Sequence, residues 1–308
     1  MSNIQKILFV SVIVLFISLL LFMDRKTPQV ATKPSVTVST FALYDIVQHV
    51  AGDSVDLFKI LPWGVDAHDF ELTPQLMVKI SQSDLVIYSG AGLEPWVHGF
   101  NFKHAVIDMS SHVNLRALKH HDEDIDEDEH HHGAFDPHYW LSPSNMMMAT
   151  DVITQSLITL NPSLKESYLS NKDEYLSMLK NLDKQFKTKL STCKKDTIVV
   201  NHNAFGYIAD KYNFHVASLS GFSSEAKPSA KDMTRLMNLI QKDKISTIFF
   251  ESFASDRVIK SIAKDTHIHV DSLQPLANLT ADEAQEKLTY EKIMSVNLEK
   301  IAKVLECR

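Results

Sequence analysis

The sequence predicts an α/β protein of two lobes, each with a mostly parallel sheet flanked by helices, joined by a long rigid backbone helix. Two observations lead to this prediction. Short apolar runs alternate with helical periodicities in both halves of the chain, and a longer amphipathic helix separates the halves. A chain of 308 residues, 44% of them hydrophobic, is also long enough to bury a core in each lobe.

The first lobe opens with the spacing of a β-α-β unit. Residues 36–40 alternate as a strand, residues 41–50 place apolar side chains on one helical face, and residues 55–61 alternate again. This spacing is typical of a parallel sheet. Thr73 and Pro74 favour the start of a helix, because threonine caps a helix and proline suits its first turn. Further strands are predicted at 84–89 and 105–109.

The segment between the lobes is predicted to be helical, with an interruption at Asn161 and Pro162. Residues 164–190 repeat apolar side chains about every 3.6 positions, which predicts a helix about 40 Å long. A rod of this length limits large hinge motion between two lobes. The second lobe repeats the β-α alternation, with strands predicted at 197–200, 216–220, 245–250 and 267–270. Helices are predicted at 205–212, 229–242, 256–264 and near the C-terminus.

The N-terminal residues indicate a targeting segment. Residues 7–23 form a run of apolar residues and two serines after Lys6, about 25 Å long as a helix and slightly short of a bilayer core. This length suits a signal peptide or a short signal anchor, and neither a small-residue cleavage pattern nor a cysteine for a lipid lies nearby. We expect an exported, periplasmic protein, cleaved or held to the cytoplasmic membrane by this segment.

The predicted organisation follows from these boundaries. It comprises a signal peptide or signal anchor (1–23), a tether (24–35), the first lobe (36–143), the linking helix (144–192) and the second lobe (193–308).

Residues 120–133 are dominated by histidine and acidic side chains. They contain seven acidic residues, which equal the whole net charge of −7, so no charge bias remains elsewhere. No basic patch with interleaved aromatics is present, so nucleic-acid binding is not predicted. A solvated acidic linker is one interpretation. Interleaved histidines favour instead an auxiliary metal loop that collects zinc or senses its excess. Its histidines are His120, His121, His130, His131 and His132.

Three further histidines occupy comparable positions. His68 and His202 each follow an apolar strand, His138 follows the acidic segment, and Asp271 ends another predicted strand. Ligands bind at the carboxyl ends of parallel strands and in clefts between domains. Three imidazoles and one carboxylate meet the requirement of zinc for four ligands, whereas calcium and magnesium prefer oxygen and manganese prefers more carboxylate. Copper and nickel remain open, because they accept the same ligands.

Two cysteines, Cys193 and Cys307, stand in the second lobe. In an exported protein an even number of cysteines favours a disulfide. A bridge between them would close a long loop and add about 4–5 kcal/mol of stability in the chain-entropy model. Two free, buried thiols are the alternative.

Four motifs carry a resemblance to a known family. They are Gly64-Val65-Asp66-Ala67-His68-Asp69-Phe70-Glu71-Leu72-Thr73-Pro74, Ser89-Gly90-Ala91-Gly92-Leu93-Glu94-Pro95-Trp96, Asp136-Pro137-His138-Tyr139-Trp140-Leu141-Ser142-Pro143 and Asn201-His202-Asn203-Ala204-Phe205-Gly206-Tyr207. Over residues 36–305 the chain resembles the solute-binding proteins of bacterial ABC importers for zinc and manganese. Within them it resembles the zinc, or ZnuA-type, branch.

The resemblance implies two α/β lobes that hold a metal ion between them. The ligands of the family fall on His68, His138 and His202, and Asp271 corresponds to a late aspartate that is a ligand or a neighbour. The manganese branch typically has glutamate in place of His202, and a loop rich in histidine and acids is a zinc-branch feature. One departure is Ala67, where proline commonly precedes the first histidine, and this exchange is expected to loosen the loop.

The expected function is therefore high-affinity capture of Zn2+ outside the cytoplasmic membrane and its delivery to an ABC importer permease with its ATPase. The chain is expected to be a monomer and not an enzyme. The alternatives are a manganese-type or adhesin-type member of the same fold, or an exported zinc hydrolase. For a hydrolase, Glu71 or Glu251 would be the candidate general base, but the sequence has no His-Glu-x-x-His helix.

Overall fold

The computed structural model describes most of the chain after residue 32. The described residues are 33–68, 70–118, 135–218, 234, 237–240, 242, 244–251 and 268–308. The predicted targeting segment and most of the predicted tether lie outside them. So do the histidines of the predicted auxiliary loop, His120, His121, His130, His131 and His132, and most of the helices expected at 229–242 and 256–264. In the part of the chain that is described, no helix combines the length and the hydropathy needed to cross a membrane.

A four-stranded parallel sheet forms the first lobe. Its strands are β1 (Ser35–Val38), β2 (Asp56–Lys59), β3 (Leu85–Tyr88) and β4 (Ala105–Asp108), in the order β2-β1-β3-β4. Helices α1 (Phe41–Ala51) and α2 (Pro74–Ser81) connect the first three strands. As predicted, Thr73 caps α2: its hydroxyl accepts a hydrogen bond from the Leu76 amide, and Pro74 occupies the first turn.

A second parallel sheet forms the other lobe. Its strands are β7 (Thr197–Val200), β8 (His215–Ser218), β9 (Thr247–Glu251) and β10 (His269–Leu273), in the order β10-β9-β7-β8. The helices of this lobe whose bounds the structure describes are α5 (Gly206–Tyr212), α6 (Ala281–Gln285) and α7 (Tyr290–Val304). All five residues of β9 are buried, as expected for a central strand covered on both faces. The predicted α/β fold class is confirmed.

One strand boundary differs from the prediction. The sequence suggests that Asp271 ends the last strand, but β10 continues to Leu273. In the register of the sheet, Asp271 lies level with Phe249, and Leu273 lies level with Glu251. Asp271 is thus two residues, or about 6.6 Å, short of the sheet edge at the level of Glu251.

Two helices, α3 (Pro143–Leu160) and α4 (Lys165–Lys189), connect the sheets. At 25 residues, α4 is about 38 Å long, close to the rod that the sequence predicts. It packs against α3, against α1 of the first lobe and against α7 of the second. Its Tyr175 hydroxyl donates a 2.7 Å hydrogen bond to the buried Asp45 carboxylate of α1. The long helix therefore belongs to the cores of both lobes.

Two smaller features complete the fold. Residues Arg116–Ala117 (β5) and Phe135–Asp136 (β6) pair antiparallel on either side of the histidine-rich and acidic segment. Cys193 and Cys307 are joined in a disulfide, which ties the C-terminus to the start of the second lobe. A continuous cluster of buried apolar side chains runs through both lobes, and Pro34–Arg308 forms one compact unit.

Candidate metal centre

His68, His138 and His202 meet at one point of the structure. The Nε2 atoms of His68 and His138 are 3.2 Å apart, and one ring nitrogen of each histidine lies within 4.8 Å of the others. Nitrogens bound to a tetrahedral zinc ion at 2.0–2.1 Å are separated by about 3.3 Å. Among the described residues, this is the one group of three or more potential ligands that converge in this way.

His138 is placed by the short strand β6 and the buried turn after it. The Asp136 carboxylate accepts two hydrogen bonds from His138, from its backbone amide at 3.0 Å and from ring Nδ1 at 2.8 Å. Both side chains are buried. Because the Nδ1 proton faces the carboxylate, the Nε2 lone pair of the ring remains for a metal ion.

His202 lies just beyond the C-terminal end of β7, and its ring is held in the same manner. Nδ1 donates a hydrogen bond to the Glu251 carboxylate at the end of β9. Burial alone would lower the pKa of His202, but the charge and hydrogen bond of Glu251 raise it above its ordinary value. The Nε2 atom is buried and has no hydrogen-bond partner among the described residues. A buried lone pair of this kind is what a bound cation satisfies.

His68 comes from the loop that follows β2. Its backbone amide donates a 2.9 Å hydrogen bond to the Asp66 carboxylate, so the two residues form a local turn. Unlike the other two histidines, His68 is half-buried. Of the three rings, it stands nearest to solvent.

Asp271 is the member of the predicted set that the structure does not bring to the three rings. Its Oδ1 atom accepts a 2.8 Å hydrogen bond from Lys300 Nζ and a 2.7 Å bond from the Ser272 amide. Although partial burial opposes it, the Lys300 bond lowers the pKa of Asp271. Its position two residues before the end of β10 and its bond to Lys300 account for the absence of Asp271 from this group of converging side chains.

Sequence reasoning did not identify the two carboxylates that orient the rings. Asp136 carries a signal, since it stands two residues before His138 just as Asp66 stands before His68. No sequence signal links Glu251 to His202, because 49 residues separate them. They meet only because β7 and β9 are neighbours in the sheet.

The chemistry of the site follows from its donors. Three imidazole nitrogens, two of them on rings oriented by buried carboxylates, converge where two α/β lobes meet. Such a set binds borderline divalent ions and leaves a fourth position open, whereas hard ions prefer oxygen. The fold and the site thus define a two-lobed protein with a site suited to one transition-metal ion.

Comparison with known proteins agrees with this class. The sequence profile of the ZnuA family, described as "Zinc-uptake complex component A periplasmic", matches residues 36–304. The chain therefore belongs to the ZnuA family, and the predicted resemblance is confirmed.

Individual relatives give the same result. The zinc-binding protein AdcA of Streptococcus pyogenes serotype M1 is 32% identical over 283 residues, which cover 87% of this chain and 55% of AdcA. The chain thus spans about half the length of the AdcA relatives that it matches. The high-affinity zinc uptake system protein ZnuA of Bacillus subtilis is 30% identical over 274 residues, covering 87% of this chain and 86% of the relative.

A solved structure also matches over nearly its whole length. The Zn(II)-bound ZnuA-like domain of Streptococcus pneumoniae AdcA superposes with a TM-score of 0.75 at 27% identity. The match covers 89% of this chain and 99% of that domain.

Proposed function

We propose that this protein captures Zn2+ outside the cytoplasmic membrane and delivers it to the permease of an ABC importer. The observation that carries the proposal is the convergence of His68, His138 and His202 on one point. Membership of a family described as a component of zinc uptake supports it. The AdcA and ZnuA relatives, which are named for zinc binding and zinc uptake, support it as well.

Capture uses side chains that are prepared before the ion arrives. Asp136 and Glu251 hold the rings of His138 and His202 by their Nδ1 atoms, which fixes the tautomer and directs Nε2 inward. These buried carboxylates also offset the positive charge of the cation. Asp271, paired with Lys300, is proposed to act as a neighbouring group and not as a bonded ligand.

The third histidine supports zinc over manganese. A site of three nitrogens suits a borderline ion, while manganese prefers more carboxylate oxygen. Preference for zinc over copper and nickel rests on the relatives and on metal availability, since those ions accept the same donors.

The partners and location belong to the same proposal. The permease and its ATPase would receive the ion from a monomeric, periplasmic protein, and the segment of residues 1–23 would serve for export or anchoring. The loop histidines His120, His121, His130, His131 and His132 are proposed as a weaker, auxiliary zinc site.

An enzymatic role is not supported. Solute-binding proteins of this family take up zinc and are not enzymes. Of the two residues nominated as a general base for a hydrolase, Glu251 is engaged by the His202 ring and Glu71 is exposed. An adhesin role would show as binding of a host protein that does not depend on zinc.

Metal analysis of the purified protein tests the proposal. The wild-type chain should retain one tightly bound zinc ion, and H202A should lose it. A second variant replaces residues 120–133 by a short Gly-Ser linker and should keep the tight zinc. Loss of tight zinc in the linker variant, together with its retention in H202A, would show that the acidic loop is the primary site and overturn the proposal.

A further inference from the structure

We infer that Asn278 is a positioning residue for the zinc site, because it fastens the loop that carries His68 to the second lobe. The inference rests on the proposed function. It concerns the segment that follows β10, residues 274–279, which we call the strap.

The strap leaves the second sheet and bonds to three separate parts of the first lobe. The Ala277 carbonyl accepts a 2.8 Å hydrogen bond from the Phe41 amide at the start of α1. The Pro275 carbonyl accepts a 2.7 Å bond from the indole of Trp140, two residues beyond His138. The strap therefore links the turn that carries His138 to the start of α1 in the first lobe.

The third part is the loop that leads to His68. The Leu279 carbonyl accepts a 2.8 Å bond from the Gly64 amide. The side-chain amide of Asn278 donates to the carbonyls of Pro62 and Val65, at 2.6 and 2.9 Å. One amide group therefore holds the loop at two points, six and three residues before His68.

The burial and the hydrogen bonds of Asn278 suit it to hold this loop. The residue is completely buried, and both donors of its amide are used on the loop. Its Oδ1 atom accepts a 2.7 Å hydrogen bond from Lys59 Nζ, so the amide cannot turn over without losing bonds on both sides. A shorter or apolar side chain would leave the two loop carbonyls without this donor.

The loop that carries His68 needs support from outside because it has little regular structure of its own. Residues 61–73 contain no helix or strand among the described positions, and alanine at 67 does not restrict the backbone as proline would. His68 is also the least buried of the three ligands. Its ring position consequently depends on contacts made from outside the loop, and Asn278 supplies two side-chain hydrogen bonds among them from the second lobe.

The chain offers a matched control in Asn297. It is buried to a similar degree, accepts a 3.1 Å hydrogen bond from the Gln274 amide and donates a 2.7 Å bond to the Gln274 carbonyl. It therefore holds the beginning of the strap and does not bond to the loop of His68. Replacement by alanine removes an equally buried amide at both positions.

The experiment compares N278A and N297A in zinc affinity, measured by competition with a chelator, and in the unfolding midpoint of the metal-free protein. Both variants should lower the midpoint by similar amounts. N278A should weaken zinc binding by about 10–100-fold, the range for residues that support metal ligands. N297A should leave the affinity unchanged. N278D should behave like N278A, because it keeps an acceptor for Lys59 but has no donor for the loop.

Wild-type affinity in N278A, or equal losses of affinity in both alanine variants, would overturn the inference. Amide exchange of the wild-type protein gives a second test that needs no variant. The Gly64 amide should be protected before zinc is added, and protection that arises only with zinc would also overturn the inference. H138A separates this result from the proposed function, because an H138A protein that retains tight zinc contradicts the site itself.

Discussion

The segments Asp66-Ala67-His68 and Asp136-Pro137-His138 share a local structure but differ in what supports it. In both, the histidine amide donates to the aspartate two residues earlier, at 2.9 and 3.0 Å. The second segment is followed by the buried Tyr139 and Trp140, and its histidine is only 1% exposed. The first segment lies on an irregular loop, and its histidine is half-buried.

The comparison teaches that a short motif sets the local turn, whereas tertiary contacts decide how firmly the ligand is held. Pro137 restricts the backbone of one segment, and Ala67 leaves the other freer. The core positions His138 directly. His68 depends on the bonds of Asn278 to its loop, so the two histidines should respond differently to changes elsewhere in the protein.

The largest effect is expected from removing either histidine. H138A and H68A should each weaken zinc binding by more than about 100-fold, beyond the range for supporting residues, because each removes one of three ligands. H138A should also lower the unfolding midpoint of the metal-free protein, since it leaves buried Asp136 without its ring partner. H68A should not. Chelator competition and thermal unfolding measure the two effects, and equal midpoints for both variants would break the comparison.

The next effect concerns the carboxylates that orient the rings. D136N and E251Q should each weaken zinc binding by about 10–100-fold, because the rings lose a charged partner that fixes their tautomer. The same titration serves here, with D183N as a control, since Asp183 accepts a bond from Tyr212 away from the three rings. Unchanged affinity in D136N and E251Q would show that the rings need no such support.

Acid should release the ion by competition between protons and zinc for the imidazoles. Free histidine titrates near about pH 6.5, and the raised pKa of His202 means that its ring begins to protonate above that pH. Zinc affinity should therefore fall as the pH drops through this region. In E251Q the pKa of His202 is lower, so the fall should move to lower pH. An affinity that stays constant down to pH 5 would contradict ligation by histidine.

The smallest effect is expected at Asp271. D271N should weaken zinc binding by less than about tenfold, because the carboxylate is held by Lys300 and lies short of the sheet edge. H138A, measured in the same titration, shows the loss of affinity expected when a direct ligand is removed. A loss in D271N as large as that in H138A would make Asp271 a direct ligand.

The sequence was sufficient for the parts of the structure that depend on local pattern. The β-α alternation predicts both parallel sheets, and the 3.6-residue period predicts α4 to within a residue at each end. The three histidines could be chosen because each follows a strand or stands in a motif of the resembled family. The position of Asp271 within β10, two residues before its end, could not be predicted, since strand length is set by pairing with β9.

Partners that are distant in the chain were beyond local reasoning. His202 meets Glu251 because β7 and β9 are neighbours, and the order of strands in a sheet is not written in any one strand. The strap was missed for the same reason. Asn278 stands in a sequence of ordinary loop composition, and its bonds to Pro62 and Val65 span more than 200 residues.

The most direct test of the central claim is X-ray absorption spectroscopy of zinc bound to the protein in which residues 120–133 are replaced by a short linker. The spectrum should report three imidazole nitrogens at about 2.0–2.1 Å and one oxygen ligand from solvent or a carboxylate. A shell made only of oxygen, or fewer than three imidazoles, would contradict a site formed by His68, His138 and His202.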